Sequence, residues 1–208
     1  MRQLTPELHA TFKTAAKRFS PTLAREISAI GPIGYQRRTS TDLGVHLARI
    51  VVGQQLSTLA ARSIWARVET AGSAKGRVLD FCTEQNHETL RACGLSNNKV
   101  KALIGLRAAE ADGALDERKL KRLNPFERSQ ALTALWGIGA WTADMVSMFY
   151  FHEPDIWPLG DLSVRKTFER FVATQERYDL EAAANLFAPY RSFLAIYMWR
   201  IANNGPDE

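Results

Sequence analysis

Apolar residues along this chain recur three and four positions apart almost from end to end, and that spacing restricts it to a packing of helices. Leu43, His46, Leu47, Ile50, Val51 and Gln54 share one helical face, and Leu59, Ala60, Ser63, Ile64, Arg67 and Val68 share the next. No long run alternates with period two, so an all-α fold is expected. Helix boundaries are legible. Asn124, Pro125 and Glu127 supply a cap, a first-turn proline and a capping-box acid. Ser57 and Ser96 suit caps, and Gly94 and Gly113 suit helix stops. Usual helix and loop lengths give about ten helices, with no solenoid repeat.

A chain of 208 residues, 46% hydrophobic, can bury one large core or two small ones. The segment His152 to Gly160 carries two prolines and a glycine, which break the helical run. We therefore expect one domain over 1–208. One lobe spans about 41–150, and a second combines about 1–40 with 151–208. The stretch Tyr190 to Ala202 is apolar on nearly all sides and should be buried. No apolar run approaches the roughly 18 residues of a membrane span, and MRQLTPELHA lacks a signal-peptide stretch. An intracellular protein is expected, cytoplasmic at the nucleoid or nuclear. The net charge of +5 suits a polyanionic partner without specifying one. The two cysteines, Cys82 and Cys93, are too few for a four-cysteine zinc or iron–sulfur site.

The most informative segment is Leu132 to Asp144, which reads Leu-Thr-Ala-Leu-Trp-Gly-Ile-Gly-Ala-Trp-Thr-Ala-Asp. A helix runs into Gly-Ile-Gly and a second one starts at once. Gly137 and Gly139 allow a tight turn and let the backbone approach another surface. The N–H groups of Gly139, Ala140 and Trp141 then begin a helix, which is an anion site by geometry and dipole. An ordinary interhelical corner has the same pattern. About twenty residues on comes Leu159-Gly160-Asp161-Leu162-Ser163-Val164-Arg165-Lys166. Asp161 precedes an amphipathic helix and suits an N-cap. A carboxylate held there can also stabilise a developing positive charge, such as the oxocarbenium-like sugar of a breaking glycosidic bond.

Together these segments resemble the helix-hairpin-helix DNA glycosylases, and most of all the 3-methyladenine DNA glycosylase II branch. Val52-Gly53-Gln54-Gln55-Leu56-Ser57 is similar to that family's first-helix signature, and Cys93 to Val100 to its second DNA-facing turn. Pro189-Tyr190-Arg191-Ser192 with Tyr197-Met198-Trp199 resembles its late signature. The matches run in family order from about residue 43 to 200.

The resemblance implies two helical lobes with the hairpin and an active-site cleft between them. It implies hydrolysis of the N-glycosidic bond of alkylated purines, of the 3-methyladenine and 7-methylguanine type, in damaged double-stranded DNA. Other lesions (uracil, a deaminated or oxidised purine) and a non-catalytic DNA-binding module are the alternatives. Asp161 matches the catalytic aspartate. Trp141, Tyr190 and Met145 match pocket positions, although aromatic residues also serve as core. Gln55 falls at the wedge position that fills the gap of the everted base, or is simply a polar helix end. Gly137, Gly139, Ala140, Trp141, Ser96 and Lys99 fall on the DNA-facing side. Trp141 stands where bifunctional members carry a Schiff-base lysine, so a monofunctional enzyme is implied. Trp136 stands where the family often has proline. Backbone carbonyls of Thr133, Leu135 and Ile138 are implied ligands of a sodium or potassium ion. No cofactor is required, no iron–sulfur cluster is implied, and the enzyme should act as a monomer away from membranes.

Overall fold

The computed structural model describes residues 4–35, 42–73, 76–172 and 179–204. Among these, thirteen α-helices form and no β-strand does. The excess over the expected ten comes from short helices such as Val78–Phe81 and Leu180–Asn185, which are too brief to show a period. The chain divides into two compact units, residues 38–146 and residues 1–37 with 147–208.

The unit of residues 38–146 holds α3 (Leu43–Gly53), α4 (Thr58–Gly72), α5 (Val78–Phe81), α6 (His87–Ala92), α7 (Asn97–Ala111), α8 (Glu117–Arg122), α9 (Pro125–Thr133) and the start of α10 (Ala140–Phe149). The expected caps are present. Ser57 accepts the N–H of Ala60, Ser96 accepts that of Lys99, and Asn124 with Glu127 closes a full capping box. Gly94 and Gly113 adopt φ of +100° and +74°, the left-handed stop that glycine tolerates. Helix α3 packs on α4 and α7, burying Leu47, Val51, Val68, Val100, Leu103 and Leu106 almost completely. Cys82 and Cys93 are free thiols buried in this unit, and burial pushes Cys82 up to about 12.

The other unit holds α1 (Pro6–Phe19), α2 (Pro21–Ile30), α11 (Leu162–Val172), α12 (Leu180–Asn185) and α13 (Arg191–Asn204). Helix α13 is buried from Ser192 to Met198, as its composition requires. It packs against α2, α11 and α12. The N-terminal helices are part of this core. Phe12 lies 5.4 Å from Phe187 and 6.0 Å from Tyr197 between ring centres. The Tyr197 hydroxyl donates to the Gly31 carbonyl at 2.9 Å and lies 2.8 Å from His9 Nδ1. Its single proton is spent on Gly31, so the His9 ring must donate. Among the described residues no helix is long and apolar enough to cross a membrane.

Candidate functional site

Asp161 is the N-cap residue of α11. Its Oδ1 accepts the N–H of Val164 at 2.9 Å, and its own carbonyl accepts that of Arg165. A second donor reaches the same Oδ1, the indole Nε1 of Trp199 on α13, at 3.1 Å. One bond comes from its own helix and one from a neighbouring helix, so the carboxylate direction is fixed twice. Asp161 keeps 9% of its surface, while Leu159 and Leu162 beside it keep 46% and 55%. Asp161 is thus a buried residue whose near neighbours in the chain, Leu159 and Leu162, are exposed.

The Pro- and Gly-rich segment that leads to Asp161 is pinned to the start of α13. Ser192 Oγ accepts the N–H of Ile156 at 2.9 Å and donates to the Glu153 carbonyl at 2.7 Å. Tyr35 donates to that carbonyl as well. Arg191 grips Asp155 with two side-chain bonds of 2.7 and 2.9 Å. Burial pushes Asp155 up, but the hydrogen bonds and charge of Arg191 outweigh it and hold the carboxyl below the usual range. A segment without regular structure is thereby held by side-chain hydrogen bonds, and Asp161 is its last residue.

The hairpin occupies the other unit. Helix α9 ends at Thr133 and α10 begins at Ala140. The Ile138 N–H bonds to the Leu135 carbonyl at 3.1 Å, and the Ile138 side chain is buried, plugging the corner into the core. Gly137 has φ +80°, and a Cβ placed on it would lie 2.6 Å from the Cβ of Ala102 on α7. Gly139 meets no atom within 4 Å, and its carbonyl accepts the N–H of Ala143 to open α10. The first-turn amides of α10 have no intrahelical acceptors, and Gly139 carries no side chain to cap them. Thr133 is the last residue of α9, so its carbonyl lies among those without an intrahelical partner. The Leu135 carbonyl keeps a second lone pair. Such hard oxygen donors fit an alkali cation.

Gln55 is exposed at the tip of the turn between α3 and α4, with φ of +57°, unusual for a side chain other than glycine. Leu56 beside it is 38% exposed. Two residues hold this turn. Gln54 Nε2 donates to the Gly137 carbonyl at 3.1 Å and to Thr142 Oγ1 at 3.0 Å, clipping the turn to the hairpin. Lys99 Nζ donates to the carbonyls of Val52 and Gln54 at 2.9 and 2.8 Å. The Lys99 ammonium, expected to face DNA, is thus turned onto the carbonyl end of α3, where the helix dipole favours a cation. Ser96 is exposed at the cap of α7.

Among the pocket candidates, Trp141 is half-buried and Met145 buried on α10. Tyr190 lies in the unit of Asp161, half-buried, and lines a groove of about 180 Å³ with Leu8, Phe12 and Pro189. Trp136 is 56% exposed, with Lys101 Nζ 3.9 Å from its ring centre. The sequence assigned no role to Gln54, Trp199 or Asp144. The one visible signal was Gln54, an amide standing on the apolar stripe of α3.

No family model matches the chain. It is 28% identical over 159 residues to DNA-3-methyladenine glycosylase 1 of Schizosaccharomyces pombe, covering 74% of this chain and 70% of that protein. The fold superposes on the DNA-3-methyladenine glycosidase of Bacillus halodurans with a TM-score of 0.77 and 26% identity, over 98% of this chain and 94% of that one. It superposes on the S. pombe 3-methyladenine DNA glycosylase Mag1, in complex with abasic DNA, with a TM-score of 0.78 and 25% identity, over 92% and 96%. With the glycine hairpin and the capped aspartate in place, the chain belongs to the helix-hairpin-helix DNA glycosylase superfamily. Within it, these relatives put it on the alkylbase branch, beside the DNA-3-methyladenine glycosylases.

Proposed function

We propose that this chain is a monofunctional DNA glycosylase that hydrolyses the N-glycosidic bond of alkylated purines in duplex DNA. The observation that carries the reading is Asp161, recessed at the head of α11 with its carboxylate aimed by Val164 and Trp199. Duplex bases are stacked, so the target must be everted, at a cost of about a few kcal/mol. The first-turn amides of α10, from Gly139, Ala140 and Trp141, hold a phosphate of the lesion strand. Gly137 shapes the corner, and carbonyls of Thr133, Leu135 and Ile138 would hold a sodium or potassium ion there. Gln55 enters the step that the base leaves. Ser96 contacts the strand from the start of α7, and Lys99 acts through its grip on the Gln54–Gln55 turn.

Trp141, Met145 and Tyr190 contact the everted base. The C1′–N bond breaks with its electron pair passing to the base, which is already cationic and leaves neutral. Asp161 stabilises the oxocarbenium-like sugar and orients a water. The water oxygen bonds to C1′, and its proton passes to the carboxylate or to solvent. No amine stands at Trp141, so no imine forms and the product is an intact abasic strand. The enzyme works as a monomer at the genome, in a nucleoid or nucleus.

Base release from duplexes that carry single lesions tests this reading. We expect release of 3-methyladenine and 7-methylguanine, intact strands before alkali, and no adduct trapped by borohydride. Release of uracil or 8-oxoguanine alone would move the enzyme to another lesion class. DNA binding without any release would make it a binding module.

A further inference from the structure

Helix α10 is covered along most of its length. Thr142, Ala143, Met145, Val146, Ser147 and Met148 are all buried. Accessible on it are Ala140 at the start, Trp141 and Asp144, and then Phe149 at the far end. Trp141 and Asp144 are three residues apart, so they lie side by side on one face of the helix.

Asp144 differs from other carboxylates withdrawn from solvent. Asp42 pairs with Arg77 at 2.6 Å, Asp155 with Arg191 at 2.7 Å, and Asp161 accepts two N–H donors. Asp144 has no hydrogen bond or ion pair among the described residues. Burial, with nothing opposing it, pushes its carboxyl up to about 6. A half-buried carboxylate without a donor is costly, and this one adjoins the half-buried indole of Trp141.

An indole face and an unspent carboxylate side by side suit a flat organic cation. The ring attracts the charge through its quadrupole, and the carboxylate meets both the charge and the N–H groups at the cation's edge. A neutral purine gains the stacking and little else. We infer that Asp144 is a specificity-determining residue that favours cationic purines over neutral ones. This inference rests on the glycosylase reading. The kinetic signature follows from the chemistry. The base loses its positive charge as the bond breaks, so Asp144 holds the ground state at least as well as the transition state. Asp144 should therefore lower KM for a cationic base without raising kcat.

The test compares wild type and Asp144→Asn on two duplexes that differ only in the lesion, 7-methylguanine or hypoxanthine. Hydrogen bonds to charged groups set the scale, and loss of one corresponds to about a tenfold effect. KM for the 7-methylguanine duplex should rise about tenfold with kcat held or slightly raised. Hypoxanthine release should stay within about twofold. Asp144→Ser, which also removes the charge, should show the same split. Equal changes on both duplexes, or a fall in kcat with KM held, would overturn the inference. If wild type does not release hypoxanthine, the split on 7-methylguanine alone decides the case. Wild type releasing neither base would instead overturn the alkylpurine reading on which the inference rests.

Discussion

The hairpin corner and the Asp161 rim are built on opposite plans. At the hairpin, side chains have been removed and the backbone is the instrument: Gly137 closes against Ala102, and Gly139 leaves open space where a side chain would stand. At the rim a single side chain is the instrument, and the surroundings hold it. Val164 and Trp199 donate to Asp161, and Ser192, Tyr35 and Arg191 hold the segment before it. A phosphate is a generic ligand that amides can grip in many sequences. A developing sugar cation needs one charge in one place. The contrast predicts that damage to the corner is felt in affinity or folding, and damage to the rim in rate.

The largest effect should follow from Asp161→Ala. Loss of a preorganised charge is expected to slow base release by at least about a hundredfold. Loss of the α11 cap should lower stability by about 1 kcal/mol, read by chemical denaturation. Gly137→Ala comes next. The 2.6 Å approach to Ala102 and the positive φ together should destabilise the protein by about 2 kcal/mol. A denaturation midpoint equal to wild type would show that the corner is not close-packed.

Trp199→Phe keeps the aromatic bulk and removes the donor to Asp161. Release should slow about tenfold, because the carboxylate loses a donor that aims it. An unchanged single-turnover rate would mean that the helix cap alone aims it. The smallest effect concerns Asp144. Its folded value is raised from 3.8 to about 6, so the stability it allows is fully present below about 4 and is lost as pH rises through 6. Asp144→Asn removes that loss. The variant should melt above wild type at pH 8 and together with it at pH 4. A constant gap at both values would mean that burial of the charge is not the cause.

The two regions were not equally legible in the sequence. The corner was: Gly-Ile-Gly between two helical patterns, with Asn124, Pro125 and Glu127 ahead of it, marks its place from local chemistry alone. What the sequence could not separate was the work of the two glycines, because Gly137 answers to Ala102, thirty-five positions away in the chain. Asp161 was legible as a cap, and its other partner was not, since Trp199 comes from a distant helix by tertiary packing. The partners of Lys99 were hidden for the same reason. A basic residue near a helix start looks outward in sequence, and only the folded end of α3 shows which carbonyls claim it. The N-terminal helices carried no functional pattern, yet His9 and Phe12 join the core around α13. Nothing in the sequence marks Asp144, because burial without a partner is a property of three dimensions.

The most direct test crosses the two plans in one experiment. Single-turnover release of 7-methylguanine and affinity for an uncleaved duplex are measured on Asp161→Asn and Gly139→Ala. Asp161→Asn should bind like wild type and release base at least about a hundredfold more slowly. Gly139→Ala should fold like wild type, bind more weakly, and release base at the wild-type rate once saturated. Wild-type release by Asp161→Asn would contradict the account at its centre, whatever the hairpin variant did.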